Sequence, residues 1–244
     1  MLLAHVRGRL GRDDAHLVLC LLGGGRPERV RRLERQLADH GLDPLLDEPE
    51  LLAQLVRARQ AAHASLPLVC YVIVRHALLR LGARDRALAD YVASVLLHFG
   101  LRQRARQLAE HDDELYDTLA RIAAEVESAD PHRAYLARMH LGNYALWLSG
   151  LFPDHIAHRH RRRGGPDLDY YDAMGRRGFR LAAGHRLATQ QGLTPLFGAV
   201  AEAFPQLRQA LNGVSDSLLF PHVHTPERLM RQVRDAFRSG DRLS

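Results

Sequence analysis

An all-α fold is what this sequence predicts, and three observations predict it. Helix-capping signals recur along the chain. Apolar residues return at helical rather than alternating spacing. No short turn joins two β-branched runs into a hairpin. Together they predict one compact domain over residues 1–244, with about ten helices around a buried central helix at 131–150.

The elements follow in order. Asp13 caps a first helix that Gly23-Gly24-Gly25 ends, and Arg26-Pro27-Glu28 opens a second that stops at Gly41. A mild composition break at residues 41–49 marks 1–41 as a candidate peripheral helical pair. Asp47 and Glu50 have capping-box spacing for a helix to about Ala62. Ser65-Leu66-Pro67 starts the next helix. Its run VCYVIV, residues 69–74, has strand-forming residues, but the capped start and the continuation RHALLRLG favour a buried helix. Asp85 starts another, ending at Gly100; Asp113 and Asp130-Pro131 cap two more. Asp169 caps a long helix to about Gln191, while Thr194-Pro195 and Thr225-Pro226 start the last two, with Pro205 expected to kink or divide the segment between them.

Composition bounds the chemistry. Hydrophobic residues make up 46% and charged residues 25% of 244, an ordinary globular balance. The formal charge is +6, yet all 34 basic residues are Arg. Lysine is absent, which disfavours pyridoxal phosphate, Schiff-base and P-loop chemistry. With three Ile and two Asn, the pattern also fits a GC-rich coding bias, so the basic charge alone is a weak pointer to an anionic partner. The longest apolar run, Leu66 to Val74, is half a bilayer span, and the start MLLAHVRGRL lacks a signal-peptide core. Cys20 and Cys70 sit far apart in apolar runs, which predicts reduced, buried thiols in a cytoplasmic protein.

On a helical wheel the 131–150 helix is apolar over most of its circumference, with Arg138, Gly142 and Ser149 on one narrow side and His140 and Asn143 inside the apolar arc. The 169–191 helix carries a stripe of Tyr170, Met174, Gly178, Leu181, His185 and Ala188, with Asp172 off it. Arg75 falls among Leu and Tyr on the 66–81 helix and needs a carboxylate or carbonyl partner. His140, Asn143, Tyr171, His185 and Arg75 are therefore candidate ligand-binding residues if they converge on a cavity, and an interhelical polar network if they do not.

Residues 154–163, DHIAHRHRRR, offer two further readings. His155 and His158 share a helix face and are candidate metal ligands, although nearby Arg would repel a divalent cation. Arg161, Arg162 and Arg163, with Arg176, Arg177 and Arg180, form a candidate surface for an anionic partner such as nucleic acid or an acidic protein. Further Arg clusters lie at 26–35 and 102–106. None of the three has a recognition-helix or RNA-motif signature.

Asp112-Asp113-Glu114-Leu115-Tyr116-Asp117 has a DDxxxD spacing that resembles the aspartate-rich motif of isoprenoid synthases. The resemblance implies a magnesium-diphosphate site at Asp112, Asp113 and Asp117. Asn212-Gly213-Val214-Ser215 lacks the downstream Glu of that family's second motif, and Asp112 and Asp113 also make an N-cap. Phe152-Pro153-Asp154-His155 resembles in part the Pro-x-Asp-His signature of the helical chaperones that mature molybdenum enzymes, but one residue is missing and no role carries over. The leading expectation is a cytoplasmic helical binding or regulatory protein with an Arg-lined surface. An enzyme or ligand binder with a polar core site is the alternative. A homo-oligomer is compatible with any apolar helix face left uncovered.

Overall fold

In the computed structural model the described residues are 5–58, 62–100, 105, 107, 108 and 118–240, with side chains described as far as 236. Among them are thirteen α-helices and no strand. In order they are Arg12–Gly23 (α1), Pro27–His40 (α2), Asp43–Leu46 (α3), Pro49–Arg57 (α4), Leu66–Arg80 (α5), Arg86–Phe99 (α6) and Leu119–Glu125 (α7). There follow Pro131–Leu151 (α8), Pro153–Arg163 (α9), Leu168–Ala183 (α10), Arg186–Gln190 (α11), Thr194–Val214 (α12) and Pro226–Gly240 (α13). The all-α expectation holds. Contacts group the chain into two compact units, Leu2–Leu97 and His98–Ser244.

In the first unit α1 packs on α2 and α4, and α4 on α5. The VCYVIV run is helical, as expected. Ser65 Oγ accepts the amide of Leu68 at 3.2 Å, and Leu68, Tyr71, Val72 and Val74 are all buried. Asp47 corrects the capping-box expectation: Glu48 is the N-cap residue of α4 and makes no side-chain cap. Asp47 instead accepts from Arg75 through Nε (2.7 Å) and Nη2 (2.9 Å) and from Arg86 through Nη2. Burial alone would raise its carboxyl, but the bonds and charges of Arg75 and then Arg86 hold it below the usual range. Cys20 is a second correction. It is exposed, because it lies on the outward side of α1, and Cys70 is half-buried; both are free thiols.

The second unit is built around α8, which packs against α7, α9, α10 and α12. Buried residues occur all round its circumference, so the expected central helix is found, extended to Leu151. Its presumed polar side is buried as well. Gly142 and Ser149 are covered, and a Cβ on Gly142 would meet the Phe179 ring at 2.8 Å. On α10 the buried face is Tyr171, Asp172, Gly175, Gly178, Phe179 and Ala182. That face is turned by about one residue from the expected stripe, and Tyr170 is exposed. The small residues Gly175 and Gly178 explain the shift, since they alone admit Phe204 and the α8 backbone at close range.

Helix boundaries also differ from expectation, among them the start of α1, where Gly11 rather than Asp13 is the N-cap residue. Asp167, not Asp169, caps α10, accepting from the amide of Tyr170 at 2.9 Å. The helix ends at Ala183, and His185 is the N-cap of α11 rather than a core residue of a continuous helix. Thr194 opens α12 without capping it; its hydroxyl donates to the carbonyl of Ala183 at 3.1 Å. Pro205 lies inside α12, which continues past it to Val214.

Candidate functional site

The carbonyls that end α8 have no partners within their own helix, so something else must satisfy them. Side chains of α12 and of Ser215, the residue that follows it, do so. Asn212 Nδ2 donates to the carbonyls of Ser149 and Gly150, both at 2.8 Å, and Ser215 Oγ donates to that of Leu151 at 2.7 Å. Arg208 Nη1 donates to Asn212 Oδ1 at 2.9 Å, and its Nε donates to Asp172 Oδ1 at 2.7 Å. Arg208, Asn212 and Ser215, spaced i, i+4 and i+7, thus join α10, α12 and α8 along one line. These groups are occupied with one another, and the network is structural.

A second network holds α13. Its two buried side chains, among those described, are arginines: Arg228 and Arg231, each 4% exposed. Arg228 Nε donates to Asp154 Oδ2 at 2.9 Å and Nη1 to the carbonyl of Phe220 at 2.7 Å. Arg231 Nη2 donates to Asp216 Oδ1 at 2.7 Å. Gln232 donates to the other oxygen of Asp216, and Gln209 Nε2 to the carbonyl of Asp235. Two carboxylates and two guanidiniums balance in charge, as buried ions must.

Anchoring by Arg228 and Arg231 turns the opposite side of α13 outward. That side carries Leu229, Met230 and Val233, which are 61%, 58% and 40% exposed. With Pro226 they span an arc of about 100° on the helix. Leu219, Phe220 and Val223, just before α13, are exposed as well. Between α9, the start of α10 and α13 lies a groove of about 350 Å³. Ile156, Ala157, Leu168, Pro226 and Met230 give it apolar walls, and Arg161, Asp169, Glu227 and Arg234 lie on its lining. Arg161 Nη1 pairs with Glu227 Oε1 at 2.6 Å.

No protein-family model, curated protein or solved structure matches this chain.

The two core histidines do not converge. His140 contacts the rings of Phe99 and Tyr144, at centroid distances of 5.4 and 6.0 Å. His185 stacks on Tyr135 at 5.0 Å, and its Nδ1 accepts the amide of Leu187 at 3.2 Å. Tyr135 and His140 lie about 140° apart around α8, so the two histidines occupy different sides of it. Asn143 and Tyr171 are buried, and burial pushes the Tyr171 phenol up. Arg75 belongs to the first unit, where Asp47 and the carbonyl of Arg84 hold it, as its burial required.

The surface candidates divide. Arg161 and Arg180 are tied to Glu227 and Glu202. Arg162, Arg163 and Arg177 are exposed, with no carboxylate partner among the described residues, and Arg176 is half-buried. His155 and His158 are exposed on α9, and Asp154 beside them is held by Arg228. Among the described residues no three His, Cys, Asp or Glu are placed to hold a metal. Asp112, Asp113 and Asp117 lie outside the described residues. The Arg-rich end of α9 closes at Gly164, in the left-handed region at φ 63°, as expected of a cationic helix end.

His140 carries a pH prediction. Burial pushes its imidazole down to about 4 from 6.5; the bond it donates to the backbone of Ala105 opposes the shift and the nearby His98 adds to it. A depressed folded value means that the unfolded chain takes up the proton first. Stability is therefore present above pH 6.5 and declines as pH falls towards 4, by about 3 kcal/mol. His140→Phe keeps the ring packing and removes the proton. Its urea midpoint should fall less steeply than that of the parent across this window, and equal slopes would refute the assignment.

Proposed function

We propose that this chain is a binding protein, which docks another polypeptide on the outward side of α13 and the adjoining groove. One observation carries the reading: α13 buries Arg228 and Arg231 and exposes Leu229, Met230 and Val233. An amphipathic helix ordinarily does the reverse, because apolar surface in water is costly, and an uncovered stripe marks a contact surface. The free thiols are compatible with a cytoplasmic setting, where such groups stay reduced. None of the described helices is long and apolar enough to cross a membrane.

An anionic partner is the second reading. Arg162 and Arg163 favour it, because they are exposed beside the groove without a carboxylate partner among the described residues. Photo-crosslinking residues placed at 229 and at 162, in the native host, separate the readings. A discrete adduct from position 229 supports docking on the stripe. An adduct from position 162 alone moves the working surface to the arginines. Neither adduct would overturn both.

A further inference from the structure

The proposed docking face identifies a partner of its own. Resting on that reading, we infer that the outward side of α13 pairs with the same side of a second copy of this chain, the two helices antiparallel about a two-fold axis.

Area is the first argument. Leu229, Met230 and Val233, with Val223 beside Leu229 in the lining of one recess, leave on the order of 350 Å² of apolar surface in water, the scale at which a patch marks an interaction site. Homodimer interfaces are about 65% apolar, so a patch of that size corresponds to about 550 Å² per partner, or about 1,100 Å² in all, above the roughly 1,000 Å² that a specific interface should clear. From Pro226 to Val233 the stripe runs about 10 Å along α13, about one turn on each side of an axis near Met230.

Self-complementarity is the second. An isologous interface needs one surface that fits itself under a half-turn. Glu227 and Arg234 lie on the same edge of the stripe, seven residues or two turns apart. In an antiparallel pair with its axis near Met230, Glu227 of each copy faces Arg234 of the other. Glu227 already holds Arg161, and the second arginine adds an opposite charge to that pair. A parallel pairing puts the Glu227–Arg234 edges of the two copies on opposite sides of the seam and lacks this match. Beside Leu229, a recess of about 530 Å³ lined by Val223, Pro226 and Gln232 offers room for a side chain from the facing copy.

Sedimentation equilibrium on the full chain tests the inference. The parent protein is expected to be a dimer at micromolar concentration. Leu229→Glu with Val233→Glu should raise the dimer Kd by roughly a hundredfold or more, with an unchanged circular dichroism spectrum as the check that it folds. Met230→Cys in a Cys20→Ser background should give a disulfide-linked dimer on mild oxidation, and Leu66→Cys, equally exposed, should not. A dimer that survives the double substitution overturns the proposed pairing. A parent that stays monomeric throughout overturns self-association but not the wider docking reading, which then stands or falls on crosslinking from position 229.

Discussion

Gly178→Leu is expected to cost the second unit more than about 4 kcal/mol and to abolish its cooperative unfolding transition. The reason lies in backbone contact. A Cβ built on Gly178 comes within 2.6 Å of the amide nitrogen of Gly142 and 2.8 Å of the carbonyl oxygen of Arg138. Those atoms belong to α8 and cannot rotate aside as a side chain can. Alanine is the milder probe. It favours a helix over glycine by about 1 kcal/mol, but the overpacking it forces costs more, so Gly178→Ala should lose about 2 kcal/mol net. Gly198 in α12 has no neighbour among the described residues within 4 Å of such a Cβ, and Gly198→Ala should gain about 0.5–1 kcal/mol. Urea denaturation of the three variants checks the set. A neutral Gly178→Ala would show that α8 and α10 can separate freely.

Helices were legible in this chain because their signals are local. Ser65, Asp85 and Asp130 cap helices where expected. The strand-like VCYVIV run was resolved by its neighbours along the chain. What a residue's partner would be was legible only in kind. Arg75 needed a carboxylate, and Asp47, 28 residues away, supplies it. Asp47 itself had been assigned to the start of α4, since an acid before a Pro-Glu helix start is also what a cap looks like. A residue with two uses is settled by distant contacts that spacing does not encode.

The candidate site shows the same limit more sharply. The start of the helix after Thr225-Pro226 was readable, but an amphipathic pattern says only that one side differs from the other. Apolar-side-in is the default, and α13 departs from it because Arg228 and Arg231 find Asp154 and Asp216 from α9 and the turn after α12. The conspicuous His-Arg run led attention to the exposed end of α9. The more informative residue there was Asp154, at its other end. On α10 the turn of the buried face had a signal in the sequence: Gly175, Gly178 and Ala182, spaced i, i+3 and i+7, mark a line of close approach.

Asp172 tests whether the inner polar network stabilises or merely tolerates its charges. It lies 9% exposed on α10 against Arg208, which is 3% exposed on α12. Asp172→Leu leaves that guanidinium buried without its carboxylate, and the expected loss is about 3–5 kcal/mol. Most of the loss comes from the orphaned charge rather than from the bond removed. Asp172→Leu with Arg208→Met should therefore recover much of the stability, although Asn212 Oδ1 then loses its donor at a cost of about 1 kcal/mol or more. A double-mutant cycle read by urea unfolding decides the matter. If the double variant is as unstable as the two single losses added together, the pair is not coupled through its charge. In that case Arg208 acts chiefly by orienting Asn212, whose amide caps the last carbonyls of α8.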